Sequence, residues 1–185
     1  MYHIKNDKRA QASTELICAG LLACMKEKPF ARITITDVQH ASTVSRSTFY
    51  RNFDCLEDVL ALLCDRGFQA VFTEYNALPP AQRGSLAKAV FQYWFHNSAV
   101  LEALVQIHRT DILFDSLRRS SGLIEALQPM ADDPARFDYF VAIITSSMIG
   151  VLTVWVEHGK TETEDQMVQK LTSAFIEMAI LELPG

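Results

Sequence analysis

Residues 30–60 read FARITITDVQHASTVSRSTFYRNFDCLEDVL, and this segment decides the fold of the chain. Its first half places Val38 and Ala41 on one apolar face of a short helix. Its second half spaces Phe49 and Phe53 four residues apart, which gives a second short helix its own buried face. A polar Ser-Thr pair interrupts the apolar pattern between them. Two short helices joined by so tight a turn are typical of a helix-turn-helix unit.

The remaining surface of the second helix carries hydroxyl and guanidinium groups. These groups hydrogen-bond to base edges and pair with phosphates when a helix enters the major groove of DNA. We expect Tyr50 and Arg51 to contact phosphates, and Arg46 and Thr48 to lie nearer base edges. Ser45 precedes the helix and is placed to cap it, so a structural role and a DNA-contacting role both remain open. The candidate DNA-contacting residues of the two helices are Thr36, Ser45, Arg46, Ser47, Thr48, Tyr50 and Arg51.

Three cations lie in or next to a short polar arm at the start of the chain. They are Lys5, Lys8 and Arg9. Beside a helix-turn-helix unit they are placed to contact phosphates at the edge of the groove. The alternative is a solvated arm, and the sequence leaves both interpretations open.

The composition indicates a compact, mostly helical protein. Of its 185 residues, 49% are hydrophobic, with only 7 Gly and 6 Pro. The formal net charge is −5, but residues 1–60 carry +1 and the remaining 125 residues carry −6. An acidic body attached to a near-neutral head suits local contact with DNA, and it argues against a protein that coats nucleic acid along its whole surface.

Helical periodicity continues along the chain, so we expect an all-α fold of about nine helices. Residues 1–55 are expected to form a three-helix DNA-binding head, and residues 56–185 a helical ligand-binding and dimerisation body. Thr34 with Asp37 has the spacing of a capping box, and so has Thr163 with Gln166. The expected helices cover residues 8–28, 34–41, a short stretch after Ser45, 56–75, 85–96, 98–108, 111–129 as one or two helices, 136–158, and the region after 163.

The cysteines Cys18, Cys24, Cys55 and Cys64 form no CxxC pair and no zinc-type spacing with the histidines. No signal peptide precedes them, so we expect a cytoplasmic protein with reduced thiols, no membrane association and no bound metal. Cys55 differs from the other three because it lies near a helix N-terminus that is able to lower its pKa. A redox-sensing function through Cys55 is therefore one hypothesis.

The body lacks the sequence motifs of common enzymes. It has no glycine-rich phosphate loop, no GxSxG elbow and no HExxH pair, so we expect neither catalysis nor a cofactor. Its aromatic residues have two interpretations: they form the core, or a group of them lines an apolar ligand cavity with His96, His108 or Thr145 as polar anchors. The candidate ligand-contacting residues are Phe91, Trp94, His96, His108, Phe114, Thr145 and Trp155.

The penultimate helix is apolar on more than one side between residues 143 and 156. A helix that is apolar all round must be buried all round. Ser147 and Gly150 keep part of its surface small, so that another helix can approach closely. Either this helix and the last one pair with a second copy of the chain, or they form the core of a monomer. The candidate dimer residues are Ile143, Ser147, Gly150, Val151, Leu171, Phe175 and Met178.

The head resembles the DNA-binding domain of the TetR family of transcriptional regulators. The resemblance rests on ITITDV, then VSRSTFYRNF, then the acidic pair Glu57 and Asp58 before Val59 and Leu60. It implies a homodimeric repressor that binds a palindromic operator in double-stranded DNA and is released by a small apolar or aromatic effector. It also implies a four-helix dimer interface built from the last two helices of each chain. The C-terminal part resembles, more weakly, a branch frequent in Firmicutes, some of whose members regulate dihydroxyacetone kinase operons.

Three positions depart from the family pattern. The family has Gly in the turn where Ser42 or Thr43 stands, so a left-handed backbone there would carry strain. It has a small Gly or Ala where this chain has Ser47, and a phosphate-contacting Lys where this chain has Leu56. Loss of that cation is expected to weaken DNA affinity and flatten its salt dependence. An alternative function follows: a protein-interaction module, or a partner-dependent activator with relaxed DNA binding.

Overall fold

The structure is a computed structural model that describes residues 2–125, 127 and 132–181. The described residues form nine α-helices and no β-strand, which confirms the expected all-α fold. Short 3-10 turns follow three of the helices, at Phe30–Arg32, Pro80–Gln82 and Ser121–Leu123. The helices are α1 (Lys8–Glu27), α2 (Ile35–Ser42), α3 (Arg46–Asn52), α4 (Leu56–Ala77), α5 (Leu86–His96), α6 (Ser98–Gln106), α7 (Asp111–Ser120), α8 (Pro134–Glu157) and α9 (Glu164–Leu181).

The helix bounds follow the sequence pattern closely, except between α7 and α8. There the expected segment 111–129 ends as a helix at Ser120 and continues as a 3-10 turn, while residues 128–129 lie outside the described part of the chain. The next helix begins at Pro134, because the fixed φ and missing N–H of proline suit a first helical turn. Asp133 caps it by accepting a 3.1 Å hydrogen bond from the Arg136 N–H.

The α2 helix begins with the capping box that the sequence predicts. Asp37 Oδ2 accepts a 2.7 Å hydrogen bond from the Thr34 N–H, and Thr34 Oγ1 accepts a 3.2 Å bond from the Asp37 N–H. Lys28 Nζ lies 2.7 Å from Asp37 Oδ2. The Lys28 ammonium and the Thr34 donors hold the pKa of Asp37 well below its usual range. This carboxylate therefore joins the end of α1 to the start of α2.

The turn between α2 and α3 contains a residue with a left-handed backbone conformation, and this residue is not glycine. Thr43 has φ 58° and ψ 15°, a conformation that costs free energy in a β-branched residue. The turn is held by α1, which passes so closely that a Cβ on Gly20 would lie 2.9 Å from Ser42 Cβ. Val44 donates its N–H to Ser42 Oγ at 3.3 Å. Packing and this hydrogen bond keep the strained turn in place.

The α4 helix packs against α1 and also against α5, α6 and α7. Its buried face begins at Leu56, which is 8% exposed, and extends to Phe72. The sequence interpretation treats Leu56 only as a missing cation, whereas the structure also gives it a packing role in the core. The expected effect of the missing cation on DNA affinity stays a prediction.

The α8 helix contacts α5, α6, α7 and α9 and has one buried side. The buried residues of α8 are Val141, Thr145, Met148, Ile149, Leu152 and Trp155. With a mean hydropathy of 1.9, α8 is long and apolar enough to cross a membrane, but core helices of soluble proteins pass the same test. In the single chain, 33% of its most apolar 18-residue window is buried, so packing against the other helices covers only part of its apolar surface.

Candidate functional site

Two phenylalanines fix the rotation of α3 about its own axis. Phe49 and Phe53 are 1% and 0% exposed, and their ring centroids lie 5.8 Å apart. The opposite side of α3 therefore faces away from the core. The predicted DNA-contacting residues on that surface are Arg46, Ser47, Tyr50 and Arg51, with Ser45 exposed at the N-cap and Thr36 exposed on α2.

Ser45 is the N-cap of α3. Its Oγ accepts a 3.3 Å hydrogen bond from the Thr48 N–H, and lies 2.9 Å from Thr48 Oγ1 and 3.1 Å from Ser47 Oγ. This arrangement satisfies one of the free N–H groups at the start of the helix. The structural role left open by the sequence is therefore present. Thr48 is half-buried, so its hydroxyl is less accessible than those of Ser45 and Ser47.

Arg46 and Tyr50 interact along the exposed side of α3. Arg46 Nη2 donates a 3.5 Å hydrogen bond to the Tyr50 hydroxyl, and the guanidinium carbon lies 5.6 Å from the centroid of the Tyr50 ring. Tyr50 keeps 42% of its surface exposed. Residues one turn apart on a helix meet in this way, and the contact limits the positions open to the guanidinium.

A cleft of about 370 Å³ separates the N-terminal arm from the C-terminal part of α3. Its charged lining residues are three cations, Lys5 from the arm, Arg9 from α1 and Arg51 from α3, and one carboxylate, Asp7, which caps α1. The His3 N–H donates a 3.0 Å hydrogen bond to the Asn52 carbonyl, which holds the arm against the end of α3. Lys8 is exposed on the first turn of α1, outside this cleft. The arm and the helix therefore bring positive charge together at the edge of the exposed surface.

The body contains a partly open apolar cavity of about 220 Å³. Its described wall offers two hydroxyl groups, from Ser121 and Thr145, and carries no charged side chain. A neutral, largely apolar molecule suits such a wall, because a buried charge without a partner is costly. The lining residues are Phe72, Leu86, Ala87, Val90, Leu117, Ser121, Ile124, Leu127, Phe140, Val141, Ile144, Thr145, Met148 and Leu171.

Of the seven predicted ligand-contacting residues, Thr145 lines this cavity. Phe91 and Trp94 are fully buried outside its lining, and Phe114 is half-buried outside it. Trp155 lies between α8 and α9, where its Nε1–H donates a 3.1 Å hydrogen bond to the Glu162 carbonyl. The candidate ligand-contacting residues do not include Phe72 and Phe140, which form an aromatic part of the wall, because helical periodicity identifies an inward face but not the empty volume next to it.

The two histidines predicted as polar anchors, His96 and His108, lie outside the described lining of this cavity. His96 is exposed at the end of α5, where its Nδ1 lies 2.8 Å from the Gln92 carbonyl. His108 is exposed and has φ 57° in the turn that closes α6, and its N–H donates to the Val105 carbonyl at 3.1 Å. Both residues lie at helix ends, and His96 lines a separate pocket where α5 meets α6.

A groove of about 370 Å³ runs between α8 and α9. Six of the seven predicted dimer residues line it: Ser147, Gly150, Val151, Leu171, Phe175 and Met178. The seventh, Ile143, is 53% exposed on α8, and Met178 is 56% exposed on α9. A Cβ added to Gly150 would meet nothing within 4 Å. The two helices thus present a continuous apolar surface, of the kind that marks an interaction site.

The thiol of Cys55 lacks the lowered pKa that the redox hypothesis needs. Cys55 is the N-cap of α4. Burial raises its pKa, and the neighbouring Glu57 and Asp58 carboxylates raise it further, against a smaller lowering by a backbone hydrogen bond. The expectation that the helix N-terminus activates Cys55 is therefore wrong, because these effects outweigh it.

Comparison with known proteins gives a family match and a fold match. A TetR-type family model described as "Transcriptional regulator C-terminal region" matches residues 85–177. No curated protein matches the chain. Among solved structures, the crystal structure of Lin0861 from Listeria innocua has a TM-score of 0.74 and 17% sequence identity, covering 95% of this chain and 96% of its own. At that identity it shows that the two chains share a fold.

Proposed function

The chain belongs to the TetR family of transcriptional regulators, and we propose that it is a homodimeric repressor that binds a palindromic operator in duplex DNA and is released by a small apolar effector. The observation that carries the DNA-binding part is the exposed surface of α3. Phe49 and Phe53 hold one side of this helix in the core, and Arg46, Tyr50 and Arg51 are exposed to solvent on its other side. Such a helix fits the major groove.

The cations of the arm extend this surface. Lys5 and Arg9 lie on the same cleft as Arg51, so all three are placed to meet one stretch of the phosphate backbone. In this proposal Tyr50 and Arg51 fix the position of the protein on phosphates. Arg46 reads a base edge, guided by its contact with the Tyr50 ring.

The apolar cavity supports release by a small molecule. Its wall includes Phe72 of α4, and α4 also packs against α1 in the head. A ligand that binds better to one orientation of α4 than to the other shifts the population toward that orientation. Because the head moves with α4, the two DNA-binding surfaces of a dimer then no longer fit their half-sites.

The groove between α8 and α9 supports the dimer. The single chain leaves Val154 and Met178 in the groove, and Ile143 elsewhere on α8, about half exposed, although such side chains are stabilised by burial. Pairing with the same two helices of a second chain would cover them in an isologous four-helix contact. In this proposal the protein acts in the cytoplasm without catalysis, cofactor or metal.

Neither alternative function is favoured by a contact in the described residues. The interaction-module hypothesis took Leu56 as a sign of relaxed DNA binding, and the burial of Leu56 offers a packing reason for that residue instead. The redox hypothesis requires a Cys55 thiol with a lowered pKa, whereas burial raises the pKa of this thiol.

A selection experiment tests the proposal. The full chain is incubated with a library of duplexes of random sequence, bound duplexes are amplified over several rounds, and the affinity of the enriched sequence is measured against shuffled duplex. The proposal expects a two-fold symmetric sequence bound about 1,000-fold or more tightly than the shuffled one. Enrichment of no sequence, or equal binding to both duplexes, would contradict it.

A further inference from the structure

The N-terminal arm, residues 2–7, lies against the helices that follow it and carries the exposed cation Lys5. Just before this cation, the His3 N–H donates a 3.0 Å hydrogen bond to the Asn52 carbonyl at the end of α3. Ile4 is half-buried and packs against the hydrophobic core. The backbone of the arm is therefore attached to the head up to the residue that precedes Lys5.

The arm is also attached on the other side of Lys5. Asn6 Oδ1 accepts a 3.1 Å hydrogen bond from Gln11 Nε2 of α1. Asp7 is the N-cap of α1, and its carboxylate accepts a 2.8 Å bond from the Ala10 N–H. Consecutive Cα atoms are about 3.8 Å apart, so a residue between two attached neighbours has a defined place. The bond between Asn6 and Gln11 is neutral and exposed, however, and bonds of this kind contribute little net stability.

A stronger attachment lies at Tyr2, where a carboxylate of α4 holds the arm. The Tyr2 hydroxyl donates to Asp65 Oδ2 at 2.5 Å, and its ring packs half-buried against the core. The other oxygen, Asp65 Oδ1, accepts from the Ser116 hydroxyl at 2.5 Å and from Arg119 Nη2 at 2.8 Å, both on α7. Hydrogen bonds to a charged group are stronger than neutral ones. Two helices outside the helix-turn-helix unit thus determine where the arm lies.

The place of the arm bears on DNA binding because Lys5 lines the same cleft as Arg9 and Arg51. A flexible arm loses conformational entropy when a cation within it settles on a phosphate, and that loss weakens binding. An arm that is ordered beforehand avoids the loss. The contacts that order the arm therefore contribute to DNA affinity from a distance.

We propose that Tyr2 and Asp65 are positioning residues for DNA binding, which hold the arm so that Lys5 meets a phosphate at the edge of the groove. Asp65 acts through Tyr2, and neither residue contacts DNA. Because α7 fixes the Asp65 carboxylate, the body of the protein takes part in placing a cation of the DNA-binding surface. The inference rests on the proposed DNA-binding function, which the wild type tests separately by its binding to the duplex that the selection enriches.

A double-mutant cycle measures the effect on affinity for that duplex. Lys5→Ala is expected to weaken binding about tenfold and to lower the slope of log affinity against log salt by about one, because one phosphate contact is lost. Tyr2→Phe removes only the hydroxyl and is expected to weaken binding about threefold to tenfold. In the Lys5→Ala background, Tyr2→Phe should change affinity by less than about twofold, because the arm then carries no lysine to place.

Tyr75→Phe is the matched control for the loss of a tyrosine hydroxyl. The Tyr75 hydroxyl donates a 2.9 Å hydrogen bond to the Gly84 carbonyl, near the end of α4 and away from the arm. This variant should keep duplex affinity within about twofold of the wild type. Asp65→Ala should weaken binding at least as much as Tyr2→Phe, and adding Tyr2→Phe to it should cost less than about twofold more. Circular dichroism checks that each variant is folded.

The order of the arm is measured without DNA, by NMR relaxation of the Lys5 backbone amide. In the wild type this amide is expected to have an order parameter of about 0.8, close to that of a rigid helix, and in Tyr2→Phe the value should fall toward about 0.6. An equally ordered Lys5 amide in both proteins overturns the proposal, and so does equal weakening by Tyr2→Phe in the wild-type and Lys5→Ala backgrounds. Unchanged affinity in Tyr2→Phe, where the wild type binds the duplex, overturns it and leaves the DNA-binding function standing. A wild type that binds no duplex overturns both.

Discussion

The Tyr2 hydroxyl donates a 2.5 Å hydrogen bond to Asp65 Oδ2, which fastens the N-terminal arm to α4. The other oxygen of Asp65 accepts from two residues of α7, the Ser116 hydroxyl at 2.5 Å and Arg119 Nη2 at 2.8 Å. Burial and the bond to Asp65 raise the pKa of Tyr2 to about 12, so its hydroxyl stays a donor at neutral pH. One carboxylate thus connects the arm to α7, whose Leu117 lines the apolar cavity.

Asp65→Asn is expected to destabilise the protein by about 1 to 3 kcal/mol, because it replaces a charged acceptor of three hydrogen bonds with a neutral amide. Tyr2→Phe removes only one of these bonds and is expected to cost about 0.5 to 1.5 kcal/mol. Urea unfolding measures both changes. Asp115→Asn, on the exposed side of α7, is the control and should change stability by less than about 0.5 kcal/mol. Asp65→Asn as stable as this control would show that the three bonds contribute nothing net.

Arg51→Ala is expected to weaken binding to all duplexes by a similar factor and to reduce the slope of log affinity against log salt by about one, because Arg51 contacts a phosphate in the proposed complex.

Arg46→Ala is expected to cost about 1 to 3 kcal/mol of binding free energy and to relax specificity at one base pair. Fluorescence anisotropy with the selected duplex across salt concentrations separates the two effects. Arg118→Ala removes an exposed cation of the body and should leave the slope unchanged. Loss of specificity in Arg51→Ala would reverse the assignment.

Local signals made most of the head predictable from sequence. Thr34 and Asp37 mark the start of α2, and Ser45 marks the start of α3, because capping uses residues only three positions apart. The contacts of Asp65 were not predictable in this way. Its partner Arg119 lies 54 residues along the chain, so the pair depends on how α4 packs against α7.

The ligand cavity shows a second limit of the sequence pattern. Thr145 and Phe91 both lie on inward faces of helices, yet only Thr145 lines the cavity. An inward side chain lines a cavity only where the neighbouring helices leave space unfilled. The sequence of one helix does not determine how well its neighbours fill that space. His108 was misassigned for a local reason, because its left-handed backbone conformation turns it into the residue that closes α6.

The apolar cavity is expected to bind toluene, which should raise the midpoint of thermal unfolding as its concentration increases. Benzylamine has a similar ring but carries a charge at neutral pH, and the cavity wall offers no acidic partner, so it is expected to leave the midpoint unchanged. Thr145→Val keeps the volume of the side chain and removes its hydroxyl. Phenol should bind this variant about 1 kcal/mol more weakly than wild type, while toluene binds both equally. Equal stabilisation by toluene and benzylamine would argue against an apolar site.

Cys55→Ser is expected to leave both operator affinity and its response to peroxide unchanged. Burial and nearby carboxylates raise the Cys55 pKa, so little thiolate, the reactive form, is present at neutral pH. Cys18, Cys24 and Cys64 are buried, and burial raises their pKa values as well. DNA binding by the wild type is therefore expected to survive mild peroxide treatment. If peroxide abolishes DNA binding by the wild type but not by Cys55→Ser, the result would support the redox-sensing function.

Gly150→Arg is expected to disrupt the dimer and leave the fold of each chain intact. A side chain at this position meets nothing within 4 Å in the single chain, so the arginine is accommodated there without a clash at its Cβ. In the proposed dimer it would place an unpaired cation in a dry apolar contact, at a cost of about 3 to 5 kcal/mol.

Gly84→Arg is the matched control for this last prediction, because its Cβ also meets nothing within 4 Å and it lies before α5, away from the groove. Sedimentation should give a dimer for the wild type and for Gly84→Arg at micromolar concentration, and a smaller species for Gly150→Arg. Circular dichroism of Gly150→Arg should stay helical, since the disrupted contact lies between chains. Its operator affinity should fall sharply, because a single recognition helix addresses only one half-site. A wild type that sediments as a monomer, or a Gly150→Arg variant that remains a full dimer, would remove the basis for pairing through α8 and α9.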